Sequence, residues 1–384
     1  MNDNHHRRRT EVSTASSRRR FLQGAAIGTT GLLAGCLGSA SPAGRALTIG
    51  YQPYYAEAWS ALVIKNGGLA EKHLPEGYSV KSWDSALQGS IVGTRLIAGK
   101  NQVGYTGDMP TITAIANDDT PVSAVGMAGY SQGQQCNLAV VPKNSPLTKP
   151  AGMAGKDVAV TTGSCTHRFY LNVIEQLGID PQLIDNSIGN ITAEIRQGSL
   201  PVGFGWEPSM ARMVFQENEA RYLLTGAEFD TVDAAGIIMP DSLIENDREA
   251  AVGWLKAELE AKRIMATQPE RTLDLVAQEG DLSSYERATL RASLYRTLKL
   301  GNGVSRLELI TDYRTVKQAN QLLKRTGPQF LKEQGAISDI PSKSRYRAEL
   351  VAQAAEELGV QTGPDRFGGG NRTANASASA GGRP

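Results

Sequence analysis

The sequence predicts an α/β fold with mostly parallel sheets. Three features support this. Short aliphatic runs alternate with helix-spaced segments from residue 46 to about 245. Most of those runs end on polar or glycine-bearing residues, and purely helical spacing takes over afterwards.

Taken in order, "ALTIGY" (46–51) is a strand. The helix behind it has Trp59, Leu62 and Val63 on one face and Gly67 as its stop. "YSVKSW" (78–83) alternates as a half-buried strand does, and residues 91–98 are helical. "QVGY" (102–105) is the next strand, and Thr106, Gly107 and Asp108 punctuate it before a helix over 111–116. "PVSAVG" (121–126) is a short strand. "DVAV" (157–160) leads to a helix over 169–177, where Leu171, Ile174 and Leu177 share a face and Gly178 closes it. "VGFG" (202–205) leads to a helix over 210–216. Beyond 245, Asn246 and Glu249 fit a capping box, with Val252, Leu255 and Leu259 as the buried stripe. No strand pattern returns before the tail. "AVVPKNSPL" (139–147) and "IIMPDSLI" (237–244) echo each other, as two crossings between lobes would or as two unrelated strand ends would.

A chain of 384 residues, 40% apolar and 21% charged, is long enough for two domains with a real core. Six arginines against Asp3 and Glu11 make residues 1–36 net +4, which leaves −3 for the rest. That body carries no electrostatic footprint for nucleic acid. The amino terminus looks like an address: Arg18 and Arg19 precede Phe21 and Leu22, as in a twin-arginine export signal. The apolar run after them is shorter than the ~20 residues a bilayer span needs, and it closes on "LAGC". Cys36 there fits a lipoprotein box, so the expectation is folded export and a lipid anchor at the periplasmic or outer face of the membrane. Residues 37–44 read as a small-residue tether and 363–384 as a disordered tail.

In parallel α/β sheets, ligands bind beyond the carboxyl ends of the strands. The residues just beyond each predicted strand therefore map a candidate site. The first half offers Gln52, the loop Ser85–Gln88, and Gly107 with Asp108. The second offers "TTGSCTH" (161–167), Asn190, and Trp206 with Glu207. These ends are rich in hydroxyls, amides and glycine and contain no lysine. Such a surface suits a small oxyanion held by backbone N–H groups and hydroxyls. In "TTGSCTH", Gly163 permits a close turn, and Ser164, Cys165, Thr166 and His167 lead into a helix whose first N–H groups face the loop. Ser164 or Thr166 fits a helix N-cap equally well, Asp108 fits a cap before Pro110, and Trp206 fits the core.

"IGYQ" (49–52), "LIAGKNQVGYTGDMP" (96–110), "TTGSCTH" (161–167), "QGSLPVGFGWEP" (197–208) and "WLKAELEA" (254–261) occur in one order. In that order they resemble the solute-binding proteins of ABC importers for aliphatic sulfonates, taurine and nitrate. The resemblance covers about 46–290. It implies a type II periplasmic-binding fold, in which two lobes close on a ligand. Lobe I is expected over 45–141 and 238–362, with the C-terminal helices, and lobe II over 142–237. It further implies a monomer that delivers its ligand to permease subunits, with no catalysis, cofactor or metal. By the same resemblance the ligand positions fall on Gln52, Ser85–Gln88, Gly107–Asp108, Ser164–Thr166 and Trp206–Glu207, with Cys165 standing where many relatives have a small residue. Asp108 and Glu207 together would repel a bare anion, and a zwitterion such as taurine would resolve that.

Other chemistries are weaker. "GYSQG" (129–133) matches a nucleophile elbow, but the segment beyond it reads as strand where that motif needs a helix. A binding protein or synthase for a thiamine-pyrimidine ligand shares the fold, yet its cysteine cluster is absent. Cys165 and His167 offer two soft metal ligands with no third nearby. Cys136 and Cys165 are candidates to pair outside the cell, and a bridge between lobes would restrain closure.

Overall fold

The chain enters through β1 (Arg45–Tyr51), β2 (Tyr78–Ser85), β3 (Val103–Gly107) and β4 (Val122–Ser131). It then crosses to β5 (Leu138–Pro142), β6 (Asp157–Val160), β7 (Gln182–Asp185), β8 (Val202–Gly205) and β9 (Ala220–Thr225). It returns through β10 (Asp233–Pro240). A computed structural model describes residues 45–301 and 303–362; Arg18, Arg19, Cys36, the tether and the tail lie outside the described residues.

Two sheets result, and they are the two lobes of a type II periplasmic-binding fold. The first runs β4-β10-β3-β1-β2 and gains a two-residue edge, β13 (Leu307–Glu308), beside β4; β11 (Leu298–Leu300) and β12 (Gly303–Ser305) form a separate hairpin. The second runs β7-β6-β8-β5-β9. Both are mixed. β1 pairs in parallel with β2 and β3, and β6 with β7 and β8. β10 is antiparallel to β3 and β4, and β5 is antiparallel to β8 and β9. These two antiparallel strands are the ones that come after the crossings, because a chain arriving from the other sheet enters from the opposite end. β4 is buried along its whole length, as a strand covered on both faces must be.

The helices that matter to the site each start at, or a short turn after, a strand end. They are α3 (Gly89–Ile97) after β2, α4 (Asp108–Ile115) after β3 and α5 (Cys165–Leu177) after β6. Earlier come α1 (Ser60–Gly67) and α2 (Leu69–His73); later come α6 (Ile188–Gln197), α7 (Ser209–Ala211), α8 (Asp241–Asn246), α9 (Arg248–Thr267), α10 (Pro269–Val276) and α11 (Arg287–Tyr295). The last group is α12 (Lys317–Gln321), α13 (Gly327–Glu333) and α14 (Glu349–Leu358). α9 seats Trp254 against Tyr105 of β3, its indole N–H donating to the Tyr105 oxygen at 2.9 Å while Tyr105 donates to Glu258 at 2.8 Å.

Several local expectations are corrected. The strand pattern does return after 245, in β11 to β13; runs of two and three residues are too short to show a period. Residues 182–185 and 220–225 are strands as well. α1 is stopped by Gly68, in the left-handed region at φ 64, not by Gly67. No capping box joins Asn246 and Glu249: Asn246 ends α8, and Asp247 precedes α9 without a side-chain cap bond. The two echo segments lie downstream of the crossings, which occupy 132–137 and 226–232.

The crossings are pinned together. Asp233 accepts from the Ser131 hydroxyl, from Cys136 N at 2.7 Å and from Asn137 N at 3.1 Å. Gly226 N donates to Asn137 O at 2.8 Å. Gly133 sits at φ 88, and a Cβ on it would run into the Gly226 backbone.

Candidate ligand-binding site

A cavity of about 290 Å³ opens between the two sheets. From the first sheet it is lined by Gln52 and Tyr55 beyond β1, Gln88 to Ser90 at the start of α3, and Gly107 at the start of α4. From the second it is lined by Thr161 to Cys165 at the start of α5 and by Trp206 beyond β8; Cys136 contributes from the first crossing. Three helix starts from the two lobes thus meet on one space. Because the first N–H groups of a helix have no acceptor within it, each start presents donors and the positive end of a dipole. Among the described residues, none of the lining side chains carries a formal charge.

The hydroxyls of the α5 loop are already engaged. Ser164 donates to Thr161 O at 2.6 Å, lies 2.6 Å from the Thr166 hydroxyl, and accepts from His167 N at 3.4 Å as the helix N-cap. Thr161 donates to Asn186 O at 2.8 Å, and Thr162 N donates to Asp185 at 2.9 Å. The loop is therefore set by its own bonds, while the N–H groups of Cys165 and Thr166, first in the helix, have no intrahelical acceptor. Gly163 sits at φ 77, and a Cβ placed on it would meet nothing within 4 Å, so the approach is open.

Of the residues expected at the site, Gln52, Gln88, Gly107, Ser164, Cys165 and Trp206 come together on this cavity. Ser85 ends β2 on the surface and accepts through its carbonyl from Arg95 at 2.9 Å. Thr166 is buried beneath Ser164. His167 turns its ring toward Phe330 of α13, with centroids 6.2 Å apart, and accepts from Gly163 N at 3.4 Å; burial lowers its pKa. Asn190 lies exposed in α6, its amide donating to Asn186 at 2.8 Å.

The two carboxylates do not line the cavity either. Asp108 is not a helix cap: Gly107 is, and Asp108 is the first helical residue, accepting from Met109 N at 2.7 Å. Its other oxygen meets Arg168 at 3.4 Å, and Arg168 also donates to Val232 O at 2.5 Å. Burial still raises Asp108, outweighing the pull of that guanidinium. Glu207 accepts from Ala211 N at 2.7 Å and from the Tyr222 hydroxyl at 2.6 Å, and burial pushes it up to about 7. Both carboxyls are satisfied inside the protein. The partner that a zwitterion's ammonium needs is therefore not supplied by either. The residue that sequence reasoning misses is Tyr55, buried, which donates to buried Glu57. It lies one position past the "QPY" (52–54) that follows β1, beyond the reach of a strand-end rule.

Cys136 and Cys165 form a disulfide with Cα atoms 6.1 Å apart. It does not join lobe to lobe. It joins the first crossing to the start of α5, and with Cys165 bonded, the soft pair with His167 is lost. Ser131, the elbow serine, is fully buried against Asp233 and leads into the crossing, not into a helix.

Residues 88–272 match the family model described as NMT1/THI5 like. A protein of Escherichia coli (strain K12) named for binding aliphatic sulfonates is 26% identical over 236 residues, covering 61% of this chain and 71% of that protein. The crystal structure of the periplasmic aliphatic sulphonate binding protein SsuA from Escherichia coli superposes with a TM-score of 0.62 at 20% identity, over 80% of this chain and 99% of its own. The periplasmic nitrate-binding protein NrtA from Synechocystis PCC 6803 gives 0.61 at 14% identity, over 84% and 91%. The desulfurization enzyme DszB shares the architecture too, at 0.59 and 14% identity, over 82% and 99%. The solved structures show the same fold, and the family model and the Escherichia coli relative agree with the resemblance that the motifs carry, to binding proteins for sulfonates, taurine and nitrate.

Proposed function

We propose that this chain is an extracytoplasmic solute-binding protein that captures a small oxyanion of the sulfonate class and hands it to an ABC importer. One observation carries the reading: three helix starts from two lobes converge on a cavity whose described lining side chains are all uncharged. A single negative charge is stabilised there by backbone dipoles, which accounts for a lining without lysine. The sulfonate sits against the Gly163–Thr166 turn, with Gln52, Gln88, Gly107 and Trp206 around it. The sheet built on β1 to β4 and β10 is lobe I and the sheet of β5 to β9 is lobe II, moving about the two crossings, which shifts the expected limits by putting 138–141 in lobe II and 233–237 in lobe I. A disulfide in the site fits an oxidising compartment. Export through Arg18 and Arg19 and a lipid on Cys36 put the protein at the membrane surface as a monomer beside its permease.

Catalysis is not part of this function. The two cavity cysteines are bonded to each other, and Ser131 is enclosed. One second ligand class is kept, a thiamine-pyrimidine, which would stack on Trp206 and Tyr55.

Calorimetric titration of the mature protein with methanesulfonate, taurine, nitrate and an aminopyrimidine tests both. Sulfonate binding with a rise in melting temperature of the size mass action gives, ~2.7 kcal/mol at hundredfold excess, is the expected result. Ser164→Ala should weaken it by about 1–3 kcal/mol, since the turn that presents the donors loses its cap and cross-bonds. Binding of the pyrimidine alone would overturn the sulfonate reading.

A further inference from the structure

The disulfide lies where a bound ligand would meet it. Cys136 and Cys165 both line the cavity, yet they are only 1% and 4% exposed, so a small reagent reaches their sulfurs from the cavity side. The Cys165 sulfur also stands at the start of α4. A Cβ on Gly107, the residue before that helix, would lie 3.8 Å from this sulfur and 3.6 Å from the Tyr55 hydroxyl oxygen. Cys165 is itself the first residue of α5. The bridge is therefore set between two of the helix starts that would hold an oxyanion. Its two sulfurs are not equivalent. A thiolate released at Cys165 sits at the positive end of a helix dipole, which stabilises it as a leaving group. Cys136 stands beside the buried Asp233 carboxyl, which accepts from its N–H at 2.7 Å, a poor place for a second negative charge.

We infer that the bridge is a reaction site for sulfite, which the cavity receives as a small sulfur oxyanion and captures covalently on Cys136. This rests on the anion site proposed above and adds a reaction to it. Near neutral pH, sulfite exists in part as the singly charged hydrogensulfite ion, which suits a lining without formal charge. Its sulfur lone pair attacks the Cys136 sulfur and a new sulfur–sulfur bond forms. The bond to Cys165 breaks, and its electron pair goes to the Cys165 sulfur. The proton of hydrogensulfite ends on that same sulfur. One ion and one disulfide give one S-sulfonate and one thiol, with the negative charge unchanged. The sulfite sulfur is oxidised and the bridge is reduced, so no other oxidant is needed. The group left on Cys136 has the three oxygens of a sulfonate head and fills the site from within. When sulfite is withdrawn, the Cys165 thiol attacks back, expels sulfite and restores the bridge. A sulfonate has no lone pair on sulfur, so it binds in the same place without reacting.

The test uses the mature protein with Cys36→Ser, so that any thiol released comes from the bridge. Treated while folded with sodium sulfite, it should release one thiol per chain and gain the mass of one sulfite. The rate should saturate as sulfite rises. Methanesulfonate at hundredfold excess over its dissociation constant, measured by calorimetry, should slow the release about hundredfold by mass action. In urea the same reaction should be indifferent to methanesulfonate. Peptide mapping after alkylation should find the sulfonate on Cys136 and the alkyl group on Cys165; the opposite placement would overturn the direction of attack. The modified protein should no longer bind methanesulfonate. If methanesulfonate binds but sulfite frees no thiol from the folded protein, the bridge is not a sulfite site and the anion site stands. Release at a rate that methanesulfonate does not alter would rule the reaction out in the same way. If calorimetry finds no methanesulfonate binding and thiol release simply climbs in proportion to sulfite, the anion site itself is wrong and this reaction falls with it.

Discussion

Removing the Cys136–Cys165 bridge should destabilise the protein by an amount the fold fixes in advance. The two residues are 29 positions apart, and closing a loop of that length in the unfolded chain corresponds to about 3.6 kcal/mol at 25 °C in the chain-entropy account. For a chain of this size that is about 5 °C in melting temperature. The residues between them carry β5, β6 and the α5 loop, so the tether acts on one lobe and one crossing. The assay uses a Cys36→Ser background, in which no third thiol remains. Unfolded but unreduced, that protein should titrate no free thiol. Its thermal midpoint should fall by the stated amount in Cys136→Ala/Cys165→Ala, and by a similar amount in the bridged protein on adding a thiol reductant. Two free thiols per chain without reductant, or midpoints that coincide with and without it, would refute the bridge.

Three further outcomes are expected. Arg168→Met should cost on the order of 3–5 kcal/mol in urea unfolding, because it strands the buried Asp108 carboxyl, and adding Asp108→Asn should restore part of the loss. Glu207 holds its proton to about pH 7 when folded but loses it near 4.5 when unfolded, so its stabilising contribution is complete below about pH 4.5 and is lost as pH rises through about 7. That slope, on the order of 3 kcal/mol in total, should be missing in Glu207→Gln, whose amide still accepts from Ala211 N and can donate to the Tyr222 oxygen; parallel stability–pH curves for the two proteins would contradict the assignment. Cys36→Ser should move the protein from the membrane to the soluble fraction in cell fractionation, and its retention on membranes would count against the anchor.

How much of the fold and site is legible in the sequence depends on length and burial. β1, β3 and β6 have clean ends because turn or helix-start residues come directly after each, and the glycine, hydroxyl and amide groups that mark those ends also make the cavity. β7 and β13 are short and largely uncovered, so no apolar period identifies them. Asp108 and Glu207 both stand just past strands, which suggests that they face a ligand. Strand-end position fixes where a side chain starts, not which way it turns, and both turn inward to partners distant in sequence, Arg168 and Tyr222. Two of the lining residues cannot be read from sequence at all: Leu331 and Ala336 reach the cavity from well over a hundred residues beyond the strand ends that form the rest.

The neutral lining has one more consequence, which concerns valence. An ion with one negative charge can be balanced by partial charges from three helix starts. A second charge on the same ion would have only those same dipoles to offset it, and burying a charge that is less than fully compensated is unfavourable. Sulfate is close to a sulfonate in shape and differs by that one charge. On the proposed reading the cleft should favour the singly charged ion, and a sulfonate titration repeated in excess sulfate should then give nearly the same affinity. What would disfavour the doubly charged ion is then the absence of a residue, not the presence of one.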